Sequence, residues 1–125
     1  MNSKIEERLK EIKIEDYIWI IYLGIIFLSF YSNNLEKDYF INKNEKSKEE
    51  YRSIMILIFS ILVIVYLYFF LDSYKSLKDV DKYSKEKKNK VILSFIGSFL
   101  ILISGLIYLY LSINDHDLDV ELAFN

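Results

Sequence analysis

Charge is excluded from three long stretches of this chain, and that exclusion constrains its fold more than any motif. The stretches are YIWIIYLGIIFLSFY (Tyr17 to Tyr31), IMILIFSILVIVYLYFFL (Ile54 to Leu71) and VILSFIGSFLILISGLIYLYLSI (Val91 to Ile113). A helix needs roughly 20 apolar residues to cross about 30 Å of hydrocarbon, at about 1.5 Å per residue. The third stretch is long enough alone, the second nearly so, and the first reaches a full span by drawing in SNNL after Tyr31. The competing explanation is three buried helices of a small soluble domain, and it fails on surface area. A chain of 125 residues has no amphipathic partners left to cover helices that are apolar on every face.

The expected fold is therefore an all-α integral membrane protein: three transmembrane helices in a small bundle, a short N-terminal surface helix and an acidic C-terminal tail. It reads as a single membrane domain over residues 1–125, with an amphipathic segment at 1–16, spans at 17–35, 53–71 and 91–113, and the tail at 114–125. Five acids against four bases in the first 16 residues, and no small-residue cleavage site after Phe30, favour an uncleaved anchor over a secretory signal.

The bases set the orientation. Residues 1–16 hold four Lys and Arg, residues 32–53 five, residues 72–90 seven and residues 114–125 none. Three crossings place eleven of these on one side and five on the other, so the positive-inside bias predicts a cytoplasmic N-terminus and an external C-terminus. The aromatic residues fit the same crossings. Tyr17 and Trp19 fall at the inner interface and Phe30 and Tyr31 at the outer; Tyr66, Tyr68, Phe69 and Phe70 return to the inner, and Tyr108 and Tyr110 to the outer. At such positions a ring can sit in lipid while its polar atom reaches water.

Parts of the polar segments also carry helical signals. SKIE at Ser3 to Glu6 and SKEE at Ser47 to Glu50 match a capping box. The first is expected to start a short helix with Ile5, Leu9 and Ile12 on one face, suited to lying on the membrane surface. The second is expected to start a helix that runs into the second span. Phe70, Tyr74 and Leu77 keep helical spacing, which carries that helix about two turns beyond the apolar stretch.

Catalysis finds little material here. The chain has no Cys, one His (His116) and three Gly, so neither a nucleophile with its base nor a Gly-rich phosphate loop can be assembled. No cofactor is expected, and no ionisable residue lies inside a span to relay ions. The KEKKNK run (Lys85 to Lys90) reads as an orientation signal facing an anionic leaflet; without an organised reading element it does not point to nucleic acid. Asp115, Asp117 and Asp119 begin a calcium-loop spacing, but Val120 stands where that loop needs Gly and its twelfth place lies beyond Asn125. They are weak metal candidates only.

Two features point to contacts instead. Ser98, Gly105 and Ser112 repeat every seven residues, with Ser94, Gly97 and Ser104 nearby, and Gly24 and Ser60 lie in the other spans. Small side chains let helices approach closely in lipid, first within the chain and secondly between copies in a homo-oligomer. In the tail, Leu118, Val120, Leu122 and Phe124 alternate with Asp117, Asp119, Glu121 and Ala123. That period of two belongs to a half-buried strand, which alone is unstable and so calls for a membrane or extracytoplasmic protein partner. A disordered acidic tail explains the same residues equally well.

IEDYIWIIYLGIIFLSFYSN, FSILVIVYLYF and the terminal DLDVELAFN resemble a group of small three-span membrane proteins of low-GC Gram-positive bacteria. The resemblance implies a bacterial plasma-membrane setting and the same topology, and carries no activity with it. The expected function is that of a non-enzymatic membrane accessory or interaction protein. A holin-like permeability protein or a bacteriocin-immunity protein is the alternative; three-span holins usually end in a basic cytoplasmic tail, which this acidic ending is not.

Overall fold

The computed structural model describes residues 2–114, and among these every regular element is helical. The elements are α1 (Ser3–Asn42), α2 (Glu45–Lys78), a 3-10 turn (Val80–Lys82) and α3 (Lys85–Asn114). Each of the three long helices contains a segment long and apolar enough to cross a membrane. At about 1.5 Å per residue they measure roughly 60, 51 and 45 Å, so all three overrun a hydrocarbon layer of about 30 Å. The described chain separates into two compact units that divide between Tyr51 and Arg52, inside α2.

The first unit holds α1 and the opening turns of α2. Its helix starts one residue earlier than a capping box at Ser3 requires, because Asn2 is the N-cap: its side-chain oxygen accepts from the Lys4 N–H at 3.0 Å. From there α1 continues without interruption to Asn42. The short surface helix expected over the first 16 residues is therefore not a separate element. Neither Gly nor Pro occurs before Gly24, so nothing ends the helix where charge gives way to the apolar stretch. Extending an existing helix costs far less than nucleating a second one. Arg8 adds contacts to Glu11 at 3.1 Å and Glu15 at 3.6 Å along the same face. Such exposed pairs contribute little each, but they favour the helical spacing. Ile5, Leu9 and Ile12 are exposed on a helix that runs straight into the span.

α1 stops at a specific backbone conformation. Lys43 has φ 56° and ψ 34°, and its N–H donates to the Tyr39 carbonyl at 2.8 Å. This left-handed closure is usually made by Gly. Asn44 then caps α2, its side-chain oxygen accepting from the N–H groups of Lys46 and Ser47 at 3.1 and 3.4 Å. Two residues thus turn the chain between α1 and α2.

The second unit is a helical hairpin of α2, from Arg52 onward, and α3. Its contacts descend in register: Arg52 Nη2 donates to the Ile113 carbonyl at 3.4 Å, Phe59 stacks on Tyr108 with ring centres 5.5 Å apart, and Phe70 meets Phe95 at 5.3 Å and Phe99 at 6.0 Å. Rising numbers on α2 pair with falling numbers on α3, so the two run antiparallel. Along α3 the less exposed positions include Val91, Phe95, Ser98, Leu102, Gly105, Leu109 and Ser112. Their spacing alternates four and three, the 3.5-residue repeat that keeps one seam facing a partner helix.

Small residues share the buried positions with large ones such as Met55, Ile58, Phe59 and Val65, while other large aliphatic side chains face outward. Ser112 is 4% exposed, whereas Ile64 and Leu93 are 69% and 68% exposed. Water would drive such aliphatic side chains inward; lipid does not, and leaves the close contacts to small residues.

The continuity of α1 can be measured. Spin labels at Lys4→Cys and Asn34→Cys, in a chain that has no other Cys, should report about 45 Å in a lipid nanodisc. A segment bent to lie flat before Tyr17 would shorten that distance to about 32 Å.

Candidate functional site

Three polar or close-packed places stand out, and each is built by helix ends or helix faces. The first is a clamp across the α1–α2 turn. Asp38, one turn before the end of α1, accepts from Ser47 Oγ at 2.6 Å, Asn42 Nδ2 at 2.6 Å and Asn44 Nδ2 at 3.0 Å. The Ser47 hydroxyl contributes most to holding the Asp38 carboxyl below its ordinary pKa; the Asn42 amide follows, partial burial opposes, and the Asn44 amide adds a smaller share. Ser47 is buried and spends its hydroxyl on Asp38, so it does not cap α2 as its SKEE pattern suggested. One turn on, Tyr51 is 5% exposed and its hydroxyl bonds to Glu36. Burial pushes the Tyr51 phenol well above its ordinary value, and the Glu36 carboxylate adds to the shift. Tyr31 donates to Glu50 at 3.4 Å, and the Lys48 ammonium sits 5.3 Å from the Tyr39 ring centre.

The second place is the α2–α3 seam. A Cβ added to Gly105 would lie 2.9 Å from Tyr66 Cδ2, 3.3 Å from Tyr66 Cε2 and 3.4 Å from Val63 Cγ2. The α3 backbone therefore passes close to α2 because this residue has no side chain. Ser98 and Ser112 share the seam and donate to carbonyls of their own helix, Phe95 at 3.0 Å and Tyr108 at 2.9 Å. A hydroxyl satisfied in this way packs as a small residue.

The small residues picked out by the heptad do not act together. Gly105, Ser98 and Ser112 lie on the protected seam, while Ser94 and Ser104 are exposed and Gly97 is half-buried with no atom within 4 Å of an added Cβ. Gly24 is exposed and equally unobstructed, and Ser60 is half-buried on α2. The metal candidates Asp115, Asp117 and Asp119 and the partner-contact candidates Leu118, Val120, Leu122 and Phe124 lie outside the described residues. Among the described residues no group of three His, Asp or Glu could hold a metal ion.

The third place is a cleft of about 300 Å³ at the other end of the hairpin. α2 lines it with Asp72, Ser73 and Ser76, and α3 with Lys87, Lys90, Val91 and Ser94. The lysines are engaged, though lightly: Lys87 Nζ lies 4.3 Å from the centre of the Tyr83 ring, and Lys90 Nζ is 3.6 Å from Glu86 Oε1. The KEKKNK run marks this region in the sequence. The serines of α2 that complete it carry no sequence signal of their own.

Two outcomes follow from this geometry. Gly105→Ala should destabilise the hairpin by about 1–3 kcal/mol through overpacking against Tyr66, while Gly97→Ala should be neutral or stabilising by up to about 1 kcal/mol; unfolding in mixed micelles compares them, and equal effects would refute the close approach. For Asp38, the native pKa lies below the unfolded value of about 3.9, so its contribution is complete above that value and is lost as pH falls through the lower native one. Asp38→Asn should lower thermal stability at neutral pH and flatten the decline below about pH 4; an acid limb identical to that of the unaltered chain would show that the clamp is not holding.

No protein family, curated protein or solved structure matches this chain, so its function has to be argued from the helices and their ends.

Proposed function

We propose that this chain is a non-enzymatic accessory protein of the bacterial plasma membrane. In this reading the chain crosses three times, with its N-terminus and residues 72–90 in the cytoplasm and its C-terminus outside. The excess of bases in the first and third polar segments supports that orientation, and three helices long and apolar enough to cross support the multi-pass setting.

One observation carries the interaction role. α1 overruns its span by 14 residues at the N-terminal end, and the overrun presents Ile5, Leu9 and Ile12 to solvent at a spacing of four and three. Had this segment been a separate helix, the membrane surface could have taken those side chains. Continuity with the span instead raises them up to about 20 Å above the bilayer, where only another protein can cover them. The alternating apolar residues Leu118, Val120, Leu122 and Phe124 supply a second candidate contact on the external side.

A photoreactive residue at Leu9 should therefore trap one discrete partner in living cells, and the same residue at Glu7, on the opposite side of the helix, should not. Rapid leakage of the membrane on induced expression, with no adduct at either position, would replace this reading with a holin-like pore. Removal of residues 118–125 should release any partner held from outside and leave the Leu9 adduct intact.

A further inference from the structure

We propose that the cleft between the end of α2 and the start of α3 binds the phosphate-bearing headgroup of a membrane phospholipid. The inference rests on the reading that α2 and α3 cross the bilayer. Leu71 is the last residue of the second apolar stretch and Val91 the first of the third. The residues at these two boundaries, Asp72, Lys90 and Val91, line the same cleft. The cleft thus opens at the level where the apolar spans give way to water, which is where lipid phosphates lie.

Its chemistry suits that ligand. Lys87 and Lys90 supply two ammonium groups and Ser73 and Ser76 two hydroxyls, while Val91 and Ser94 continue toward the hydrocarbon. Asp72 offsets one of the two positive charges, so the lining keeps a net charge of one and favours an anionic headgroup over a neutral one. About 300 Å³ is at the small end of ligand pockets, the scale of a headgroup with the acyl chains left in the bilayer. The present partners of the lysines do not compete strongly. The side chains of Lys90 and Glu86 are 75% and 84% exposed, and such a pair contributes little in water. Lys87 rests on the Tyr83 ring, a contact that leaves its hydrogen-bond donors available for a phosphate oxygen.

A diffuse basic surface would also attract anionic lipid, and the test has to separate the two. The full chain in detergent is titrated with dioleoyl phosphatidylglycerol, and bound lipid is counted by native mass spectrometry. Lys87→Gln with Lys90→Gln should weaken binding about tenfold, from roughly fivefold per lysine lessened by the neighbouring acids. Lys82→Gln with Lys85→Gln removes the same charge outside the cleft and should change binding less than about twofold. Ser76→Leu, which fills the cleft and alters no charge, should weaken binding as well. Equal losses in the two lysine pairs, unaltered binding in Ser76→Leu with helicity preserved, or displacement by millimolar inorganic phosphate would overturn the proposal. Alkaline extraction of native membranes is run alongside. A chain released by it would refute the membrane reading itself, whereas a retained chain with no cleft-dependent binding would refute the headgroup site alone.

Discussion

Close approach of two helices without help from water is the condition on which the α2–α3 hairpin depends. In lipid, apolar side chains gain little by turning toward one another, so association must come from contact itself. Gly105 provides the approach, with the Tyr66 ring 2.9 Å from where its Cβ would be. Either side of that point the seam is filled by rings, Phe59 on Tyr108 toward one end and Phe70 among Phe95 and Phe99 toward the other. Pairs of this kind contribute about 0.5–1.5 kcal/mol each beyond the area they cover. A small residue at the centre and aromatic pairs flanking it form a consistent set, since the rings keep these contacts only while the backbones stay close.

The ends of the helices obey different physics, because there water and charge return. α1 is closed by a Lys in the left-handed conformation and α2 is opened by Asn44. Asn is well suited to an N-cap, but Lys stands at the left-handed position usually taken by Gly, and the turn borrows support from its surroundings. Asp38 reaches forward from α1 to Ser47 on α2 and to both asparagines, so one carboxylate ties together the last turn of one helix, the connection and the first turn of the next. Charge-assisted bonds are stronger than neutral ones, which makes Asp38 the dominant polar group of that turn.

Much of this was legible in the sequence, and the remainder was hidden for identifiable reasons. Uncharged stretches of spanning length announced the three helices, and the spacing of Phe70, Tyr74 and Leu77 announced the extension of α2, because both depend on composition and period alone. The continuity of α1 was not legible from its capping signal: a cap shows where a helix can begin, and nothing in SKIE shows where it stops. SKEE marked the helix that runs into the second span but not the residue that caps it. Its Ser47 has the right spacing, but Asn44 already serves the free N–H groups, and Asp38, nine residues back, takes the hydroxyl. Glycine gave the clearest case of all. Gly24, Gly97 and Gly105 are alike in sequence, and the position of Tyr66 and Val63 on another helix distinguishes the third.

The same distinction bears on the basic segment. A run of lysines beside a span serves orientation whatever its detailed structure, because the positive-inside bias counts charges and not contacts. Folding adds an arrangement that a count cannot express: α2 ends and α3 begins so that Ser73 and Ser76 face the same cleft as Lys87 and Lys90. Lys82 and Lys85 contribute equally to the count and do not line that cleft. Orientation by itself needs the number of bases on a side; a headgroup site also needs two particular lysines, the serines opposite them, and the boundary between lipid and water passing through the cleft they enclose.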